Sequence, residues 1–339
     1  MPKTARARVT DCKRGLLGCL LLGLLAPATV IAQKTRAAPE SIRGYTIMAG
    51  GLGRAPKDDK DMWSNTVAAH LDFIDRARIN LVVVEVPYGV GKAHPRSARV
   101  AGFIKTLQKK KVGVWVIYPH VLAQTFDLPR QVDADGKRVE WKVCFNRRVT
   151  QDWLVDNGKS IVDAYSPDGL LLFGLFHKGG DCHCEACKED KDARSGKVME
   201  RFFLRFSSVL REARPGIRLG TTGFWTRPSR KTVDAIDLVS PVVAIFRPGH
   251  AGPGRVKKEL RGLGSRYRGK LLVPYVKVFL ATQTDSRTED LLAAAREGIA
   301  VGDGFFLWGY NPGHSYRKQR YDHEKIATTL AGLAGKKRK

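Results

Sequence analysis

Eight short apolar runs divide the chain, and the segments between them carry apolar residues at helical spacing. Helical periodicity is clearest over Asn65–Ala77, over Val149–Ala164 and between Met199 and Leu210. Runs that are apolar on both faces and alternate with helices are typical of parallel strands in βα units. Eight such units predict an α/β chain folded as a (β/α)8 TIM barrel. The predicted strands lie at 45–48, 81–86, 112–118, 170–176, 218–224, within 238–246, at 270–278 and at 304–308.

A polar–apolar alternation around Asp135-Gly136 follows the third run. It predicts a hairpin insertion between strands 3 and 4 that ends near Val143-Cys144. A doubly wound open sheet is the alternative architecture, but no G-x-G-x-x-G loop follows the first run. Composition is uniform after Ala38. We therefore predict one barrel domain over residues 42–334, with a linker at 33–41 before it and a disordered basic tail at 335–339 after it.

The N-terminal segment has the composition of a secretory signal. Basic residues between Lys3 and Arg14 precede the apolar stretch Leu16–Leu25, and small residues before Gln33 offer a cleavage site. The apolar stretch is too short for a comfortable membrane-spanning helix, and no later stretch qualifies. We expect residues 1–32 to be removed and the remaining chain to be exported, to the periplasm or outside the cell.

The charge balance of the chain is strongly basic and allows two interpretations. The chain has 59 Lys and Arg against 33 Asp and Glu, a formal net charge of +26. One interpretation is attraction to an anionic polymer such as a uronate or sulfated polysaccharide, or to a membrane surface. The other is an ordinary solvated basic surface. The export signal and the lack of an aromatic–basic recognition motif argue against nucleic acid.

Four cysteines form the chemically most distinctive pattern. Cys182, Cys184 and Cys187 make a C-x-C-x-x-C run just past the fourth apolar run, and Cys144 ends the predicted hairpin. Four thiolates suit zinc, and a site closed by four sulfurs has no open position, so the ion would be structural. Disulfides are the alternative, because an exported chain meets an oxidising compartment. Spacing favours zinc, since pairing Cys144 with one of the three leaves two thiols over.

The cysteine pattern resembles that of family 42 β-galactosidases, among the exported glycoside-hydrolase-like barrels. Cys144-Phe145-Asn146-Arg147-Arg148 stands for the family segment before the fourth strand, and the C-x-C-x-x-C run stands for the one after it. The resemblance implies structural zinc on Cys144, Cys182, Cys184 and Cys187 and a carbohydrate as partner. The tRNA-guanine transglycosylases also carry such a run, but they take a downstream His as fourth ligand. Here no His lies between Cys187 and His250.

The expected catalytic carboxylates are not found. Phe173 occupies the position in strand 4 where related barrels place an acid, and Lys277 stands near the expected Glu of strand 7. Glycoside hydrolysis generally needs two carboxyl groups around the scissile bond. The leading hypothesis is therefore an exported glycoside-hydrolase-like protein that acts on or binds a polysaccharide. The alternative is a non-catalytic carbohydrate- or cell-wall-binding barrel that has lost the pair.

The C-terminal strand ends supply the candidate site, because TIM-barrel sites lie there. Glu85 near the end of strand 2 is the candidate acid/base, although a salt bridge to Lys277 or Arg247 would also explain it. His177 and Asp181 are candidate helpers, and Asp181 could instead cap the metal loop. Asp168 and Asp303 precede strands 4 and 8, so we predict structural turns for them at the opposite end.

The candidate substrate-binding residues are aromatic, basic or imidazole side chains at strand ends. Aromatic planes pack against the C–H faces of sugar rings, and a basic side chain would suit a carboxylated or sulfated glycan. The alternative explanation for the aromatic residues is ordinary packing at the barrel end. The set comprises Tyr118, His120, Trp225, Arg247, Tyr275, Lys277, Trp308 and Tyr310.

Overall fold

The computed structural model describes residues 41–47, 60–86, 95–118, 127–172, 182–193, 197–222, 228–244, 254–277, 288–308, 310, 312 and 321–334. Its strands are β1 (Ile42–Ile47), β2 (Leu81–Glu85), β3 (Gly113–Tyr118), β4 (Arg130–Val132), β5 (Arg138–Val143), β6 (Gly169–Leu172), β7 (Arg218–Thr221), β8 (Leu238–Val239), β9 (Val242–Ala244), β10 (Leu271–Leu272), β11 (Tyr275–Lys277) and β12 (Gly304–Trp308).

The helices of the described residues alternate with these strands. They are α1 (Lys60–Arg76), α2 (Pro95–Lys109), α3 (Arg148–Tyr165), α4 (Glu185–Glu189), α5 (Lys197–Ala213), α6 (Arg230–Ala235), α7 (Arg255–Leu260), α8 (Leu263–Arg266), α9 (Thr288–Val301) and α10 (His323–Ala331). None of these helices is long and apolar enough to cross a membrane.

The parallel strands close into a barrel of eight. β1, β2, β3, β6 and β7 pair in chain order, and β12 pairs with both β1 and β11. The sixth barrel strand consists of β8 and β9, and the seventh consists of β10 and β11, because β8 pairs with β10 and β9 with β11. Pro241 and Pro274 lie at the two interruptions, where each lacks the N–H that a continuous ladder needs. Their carbonyls still accept bonds from Tyr275 and Phe306.

The antiparallel pair β4–β5 forms a separate two-stranded sheet between the third and fourth barrel strands. Gly136 has φ of 80° at its turn, in the left-handed region that glycine favours. The Asp133 carboxylate accepts bonds from the N–H groups of Asp135 (3.0 Å) and Lys137 (2.8 Å). The turn is therefore fixed by local side-chain chemistry of the Asx type.

Two apolar layers form the core of the barrel domain. The outer layer lies between strands and helices, where α5 buries Met199, Phe202, Phe203, Phe206 and Leu210 at helical spacing. The inner layer fills the lumen, where Trp115 is nearly fully buried. Gly169 and Gly220 leave room for its ring, since a Cβ at either glycine would lie 2.6 Å from an atom of the indole.

Four polar residues, here called the basal staple, close the N-terminal end of the barrel. Each precedes an even-numbered barrel strand: Asn80, Asp168, Asp237 and Asp303. Each side-chain oxygen accepts a backbone N–H from the preceding barrel strand, from Arg43 (2.9 Å), Val114 (2.8 Å), Leu219 (2.7 Å) and Leu272 (2.8 Å) respectively. Each backbone carbonyl accepts an N–H from the following odd-numbered strand, from Gly113, Arg218, Leu271 and Ile42.

The basal staple gives the base of the barrel a fourfold repeat that links every pair of successive odd-numbered strands. Backbone N–H groups at the starts of the strands need acceptors, and the staple supplies acceptors for eight of them. The prediction that Asp168 and Asp303 are structural residues at the N-terminal end of the strands is confirmed.

Candidate functional site

The four cysteines converge into one buried cluster. Their sulfur atoms all lie within 4.8 Å of one another, and Cys144 Sγ is 3.5 Å from the sulfurs of Cys184 and Cys187. A tetrahedral ion with metal–sulfur bonds of about 2.3 Å would place its sulfurs about 3.8 Å apart. All four are free thiols. The donor set and its spacing therefore suit a soft metal ion.

Hydrogen bonds to backbone carbonyls hold the segments that supply these thiols. The N–H of His183 donates to the carbonyl of Val132 (2.7 Å), which attaches the C-x-C loop to the hairpin. The amide of Asn146 donates to the carbonyl of Ala186 (2.6 Å) from the other side. The hairpin after barrel strand 3 and the loop after barrel strand 4 thus form one unit around the sulfurs.

The first turn of α4 shapes the C-terminal half of the cluster. Cys184 is the residue that caps this helix, and its carbonyl accepts the N–H groups of Cys187 (2.9 Å) and Lys188 (3.0 Å). The arrangement directs two thiols separated by two residues toward the same point.

Burial governs the thiol protonation. Burial raises the pKa of Cys144, and the neighbouring Cys182 and Cys187 thiols raise it further. Burial also raises the pKa of Cys187, to about 12. For Cys184, burial opposes ionisation, but hydrogen bonds from Cys187 and the neighbouring thiols leave its pKa lowered. A divalent cation would offset half of the charge of four buried thiolates and so favour the deprotonated form of each thiol that it binds.

A second cluster, here called the mouth cluster, lies at the C-terminal end of the strands. Its members are Thr46 of β1, Glu85 of β2, Tyr275 and Lys277 of β11 and Trp308 of β12. Successive side chains of a strand face opposite sides. Since Leu81 and Val83 belong to the lumen layer, Glu85 faces inward, and Tyr275 and Trp308 pack in the same layer.

Specific contacts order the mouth cluster. The hydroxyl of Thr46 donates to the hydroxyl of Tyr275 (2.9 Å), and the rings of Tyr275 and Trp308 have centroids 5.3 Å apart. Lys277 Nζ lies 4.1 Å from the centre of a Trp308 ring, in a cation–π contact. The pKa of Tyr275 is raised, chiefly by burial, with the Glu85 carboxylate adding to the rise. Glu85 therefore lies close enough to Tyr275 to act on it electrostatically.

The accessible groups of the mouth cluster are a carboxylate, an ammonium and an indole. Glu85, Lys277 and Trp308 are partly exposed, whereas Thr46 and Tyr275 are buried beneath them. Within the described residues of the barrel strands, Glu85 is the only carboxylate on an inward-facing position at this end. The cluster can stack a ring, bind an anion and exchange one proton.

Two predicted substrate-binding tyrosines lie elsewhere. Tyr118 is fully buried and its hydroxyl donates to the carbonyl of Leu154 (2.6 Å). Tyr310 is nearly fully buried and its hydroxyl bonds to His323 Nδ1 (2.6 Å). Both belong to the outer layer between strands and helices, which differs from the expectation that they contact substrate. Tyr118 faces the helices because successive side chains of β3 point to opposite sides of the sheet.

Five other predicted residues, namely His120, His177, Asp181, Trp225 and Arg247, lie outside the described residues. Of the predicted set, the structure brings together Glu85, Tyr275, Lys277 and Trp308. Sequence reasoning missed Thr46, for which a hydroxyl within an otherwise apolar strand was the available signal.

No family model matches the chain, and no curated protein matches its sequence. Among solved structures, the chain is similar to the PgaB (BpsB) glycoside hydrolase domain from Bordetella bronchiseptica, with a TM-score of 0.60 and 12% identity over 86% of this chain and 99% of that one. It is also similar to a β-galactosidase from the psychrophilic Marinomonas ef1, with a TM-score of 0.62 and 12% identity over 86% of this chain and 59% of that one.

An α-amylase from Geobacillus thermoleovorans, complexed with acarbose, aligns with a TM-score of 0.51 and 12% identity over 87% of this chain and 78% of that one. At these identities the similarity shows the fold. The chain has the parallel α/β barrel architecture of glycoside hydrolases.

Proposed function

We propose that this protein is an exported, glycoside-hydrolase-like barrel that acts on or binds a polysaccharide at its mouth cluster. The observation that carries the proposal is the partly exposed Trp308, with the Lys277 ammonium on its ring and the Glu85 carboxylate in the same mouth. An aromatic plane beside one acid and one base is the combination expected for a charged sugar.

The cation–π contact indicates how a sugar would bind. The Lys277 ammonium lies over an indole, and the C–H groups on one face of a sugar ring also carry partial positive charge. A sugar packed on Trp308 would bring a ring carboxylate or sulfate toward Lys277. This geometry favours an anionic glycan over a neutral one, in agreement with the net charge of the chain.

Glu85 is the proposed acid/base. Its inward position, next to the buried Tyr275, suits a group that holds or releases a proton. His177 and Asp181 are proposed as helpers, and His120, Trp225 and Arg247 as further sugar contacts. The second hypothesis, a carbohydrate-binding barrel without turnover, is favoured by Lys277 at the strand-7 position where hydrolases of this type carry an acid.

We further propose that the four-cysteine cluster holds a structural zinc ion, as in the family 42 β-galactosidases that its motif resembles. With four sulfur ligands the ion would have no open position, so it would supply stability and not catalysis. Its role would be to fix the hairpin β4–β5 against the loop after barrel strand 4, at the same end of the barrel as the mouth cluster.

A glycan panel tests the function. Purified protein would be titrated calorimetrically with neutral, uronate-containing and sulfated oligosaccharides, and reducing ends would be measured in parallel. Trp308→Ala should weaken binding about fivefold or more, since an aromatic contact contributes about 1 kcal/mol beyond area burial. Glu85→Gln should leave affinity largely intact and lower turnover about 100-fold or more if hydrolysis occurs.

Glu212→Gln on the exposed surface of α5 is the matched control for the carboxylate change. If a glycan binds but no glycan in the panel releases reducing ends, the non-catalytic hypothesis is correct. Failure of every glycan to bind, or binding that Trp308→Ala leaves unchanged, contradicts the proposed site.

A further inference from the structure

The turns that connect each helix to the next strand all lie at the N-terminal end of the barrel, opposite the mouth cluster. We call these the basal turns: residues 77–80, 110–112, 166–168, 214–217, 236–237, 267–270 and 302–303. They contain three acidic residues, and all three belong to the basal staple, where they accept backbone N–H groups. Their basic residues are Arg78, Lys110, Lys111, Arg214, Arg268 and Lys270.

The acidic and basic side chains of the basal turns differ in their exposure to solvent. Every exposed charged residue of the basal turns is basic: Arg78, Lys110, Lys111 and Arg268. Lys110 pairs with Asp75 at 2.7 Å. Within the part of the chain that the structure describes, no carboxylate pairs with Arg78, Lys111 or Arg268. The acidic groups of the basal turns thus accept backbone N–H groups, and the exposed charges of these turns are cationic, although exposed carboxylates at Asp75, Asp163, Glu212 and Asp234 stand on the adjoining helix ends.

Two of these positions have backbone conformations that ordinarily favour glycine. Arg78 has φ of 50° and Lys111 has φ of 61°, each just after a helix end. A side chain in this left-handed region costs about 1 kcal/mol relative to glycine. A cation near a helix C-terminus offsets part of that cost through the helix dipole. If these cations serve only the helix dipole, glycine at positions 78 and 111 changes the thermal stability alone. If they also bind a partner, glycine at these positions weakens that binding.

The exposed basic residues of the basal turns lie on both sides of the barrel base. Arg78 and Lys111 precede barrel strands 2 and 3, whereas Arg268 precedes barrel strand 7. In a ring of eight strands, positions 3 and 7 are diametrically opposite. A linear polymer would follow one groove or stripe, but a flat anionic surface would meet all these cations together.

We propose that the basal turns dock this protein on an anionic lipid bilayer, with phosphate headgroups as the recognised chemistry. The barrel axis would then be perpendicular to the membrane surface, and the mouth cluster would face away from the membrane. This docking is independent of the proposed sugar site, because no residue of the mouth cluster contributes to it.

Vesicle sedimentation of the full chain tests the proposal. Vesicles of phosphatidylglycerol mixed with phosphatidylcholine are compared with vesicles of phosphatidylcholine alone at low salt. The triple variant Arg78→Gly, Lys111→Gly, Arg268→Gln should bind the anionic vesicles about 100-fold more weakly, since each basic residue near such a surface contributes about fivefold. The control variant Lys105→Gln, Lys159→Gln, Lys231→Gln removes three exposed charges from the helices and should lose far less.

Thermal unfolding of the same variants keeps the result interpretable. The glycine substitutions relieve backbone strain, so the triple variant should melt at the wild-type temperature or above it. Several results would overturn the proposal. These are equal binding to neutral vesicles, equal losses in both triple variants, or a lowered melting temperature with unchanged vesicle affinity. A protein that binds soluble dextran sulfate through these residues but does not bind vesicles would also overturn the proposal. The partner of the basal turns would then be an anionic polymer and not a membrane.

Discussion

The basal staple allows a quantitative test of how the barrel is closed. Asp237 Oδ2 accepts the backbone N–H of Leu219 at 2.7 Å and a bond from Arg211 at 3.0 Å. Asp237→Ala removes the acceptor of a buried N–H, and leaving such a donor unsatisfied costs about 1–3 kcal/mol. The ion pair with Arg211 is about one-third exposed on both sides and adds at most a few tenths of a kcal/mol. For a barrel of this size the melting temperature should fall by about 2–5 °C.

Asp237→Asn provides the informative comparison, because its amide oxygen can still accept the Leu219 N–H. The fold already contains this arrangement at Asn80, whose Oδ1 accepts the N–H of Arg43. We expect the asparagine variant to lose less than half as much stability as the alanine variant by calorimetry or urea unfolding. Asp234→Ala, which removes an exposed carboxylate paired with Arg230, is the control. Equal losses for Asn and Ala, or a loss no larger than the control, would refute the staple argument.

Three further perturbations probe other parts of the structure. Gly220→Ala would bring a Cβ within 2.6 Å of the Trp115 ring, so we expect a loss of about 1–3 kcal/mol in urea unfolding, part of which Trp115→Phe should recover. Burial lowers the pKa of His323 below its usual 6.5, so the unfolded state binds more protons below pH 6.5 and stability falls as the pH falls. His323→Gln should flatten that fall, and an unchanged slope would contradict it. Cys184→Ser should abolish stoichiometric zinc by mass spectrometry and lower the melting temperature. A chelator should then cause no further fall in the melting temperature of the variant. A wild-type protein that purifies without metal would contradict this prediction.

The sequence was sufficient for the barrel because eight apolar runs alternate with segments of helical periodicity, apart from the hairpin insertion after the third run. Strand 8 was predicted at 304–308 and is observed as Gly304–Trp308. One strand 6 within 238–246 and one strand 7 at 270–278 were predicted, but Pro241 and Pro274 divide each into two short segments. Proline removes one ladder donor without turning the strand away from its neighbours, so the local signal alone cannot show whether pairing resumes.

Which side a strand residue faces was the main obstacle at the candidate site. Strand β3 is apolar on both faces, so its sequence does not distinguish the lumen side from the helix side. Tyr118 therefore looked equivalent to Tyr275 although they point to opposite layers. The convergence of the four cysteines was predictable because three of them lie within six residues, with Cys144 as the single distant partner.

The four-position repeat of the basal staple was only half visible in the sequence. Asp168 and Asp303 stood out because each precedes a glycine and an apolar run. Asn80 and Asp237 precede leucine and lacked that context. The structure shows that one polar acceptor before each even-numbered strand is the shared feature, a pattern that requires the strand numbering to be known first.

A crystal soaked with a uronate-containing oligosaccharide that binds in solution tests the central claim most directly. The account predicts density for a sugar ring packed on the indole of Trp308, with its carboxylate within ion-pair distance of Lys277 Nζ and its ring near Glu85. Density on the helical exterior or at the basal turns, with Trp308 uncontacted, would contradict the assignment of the mouth cluster as the carbohydrate site.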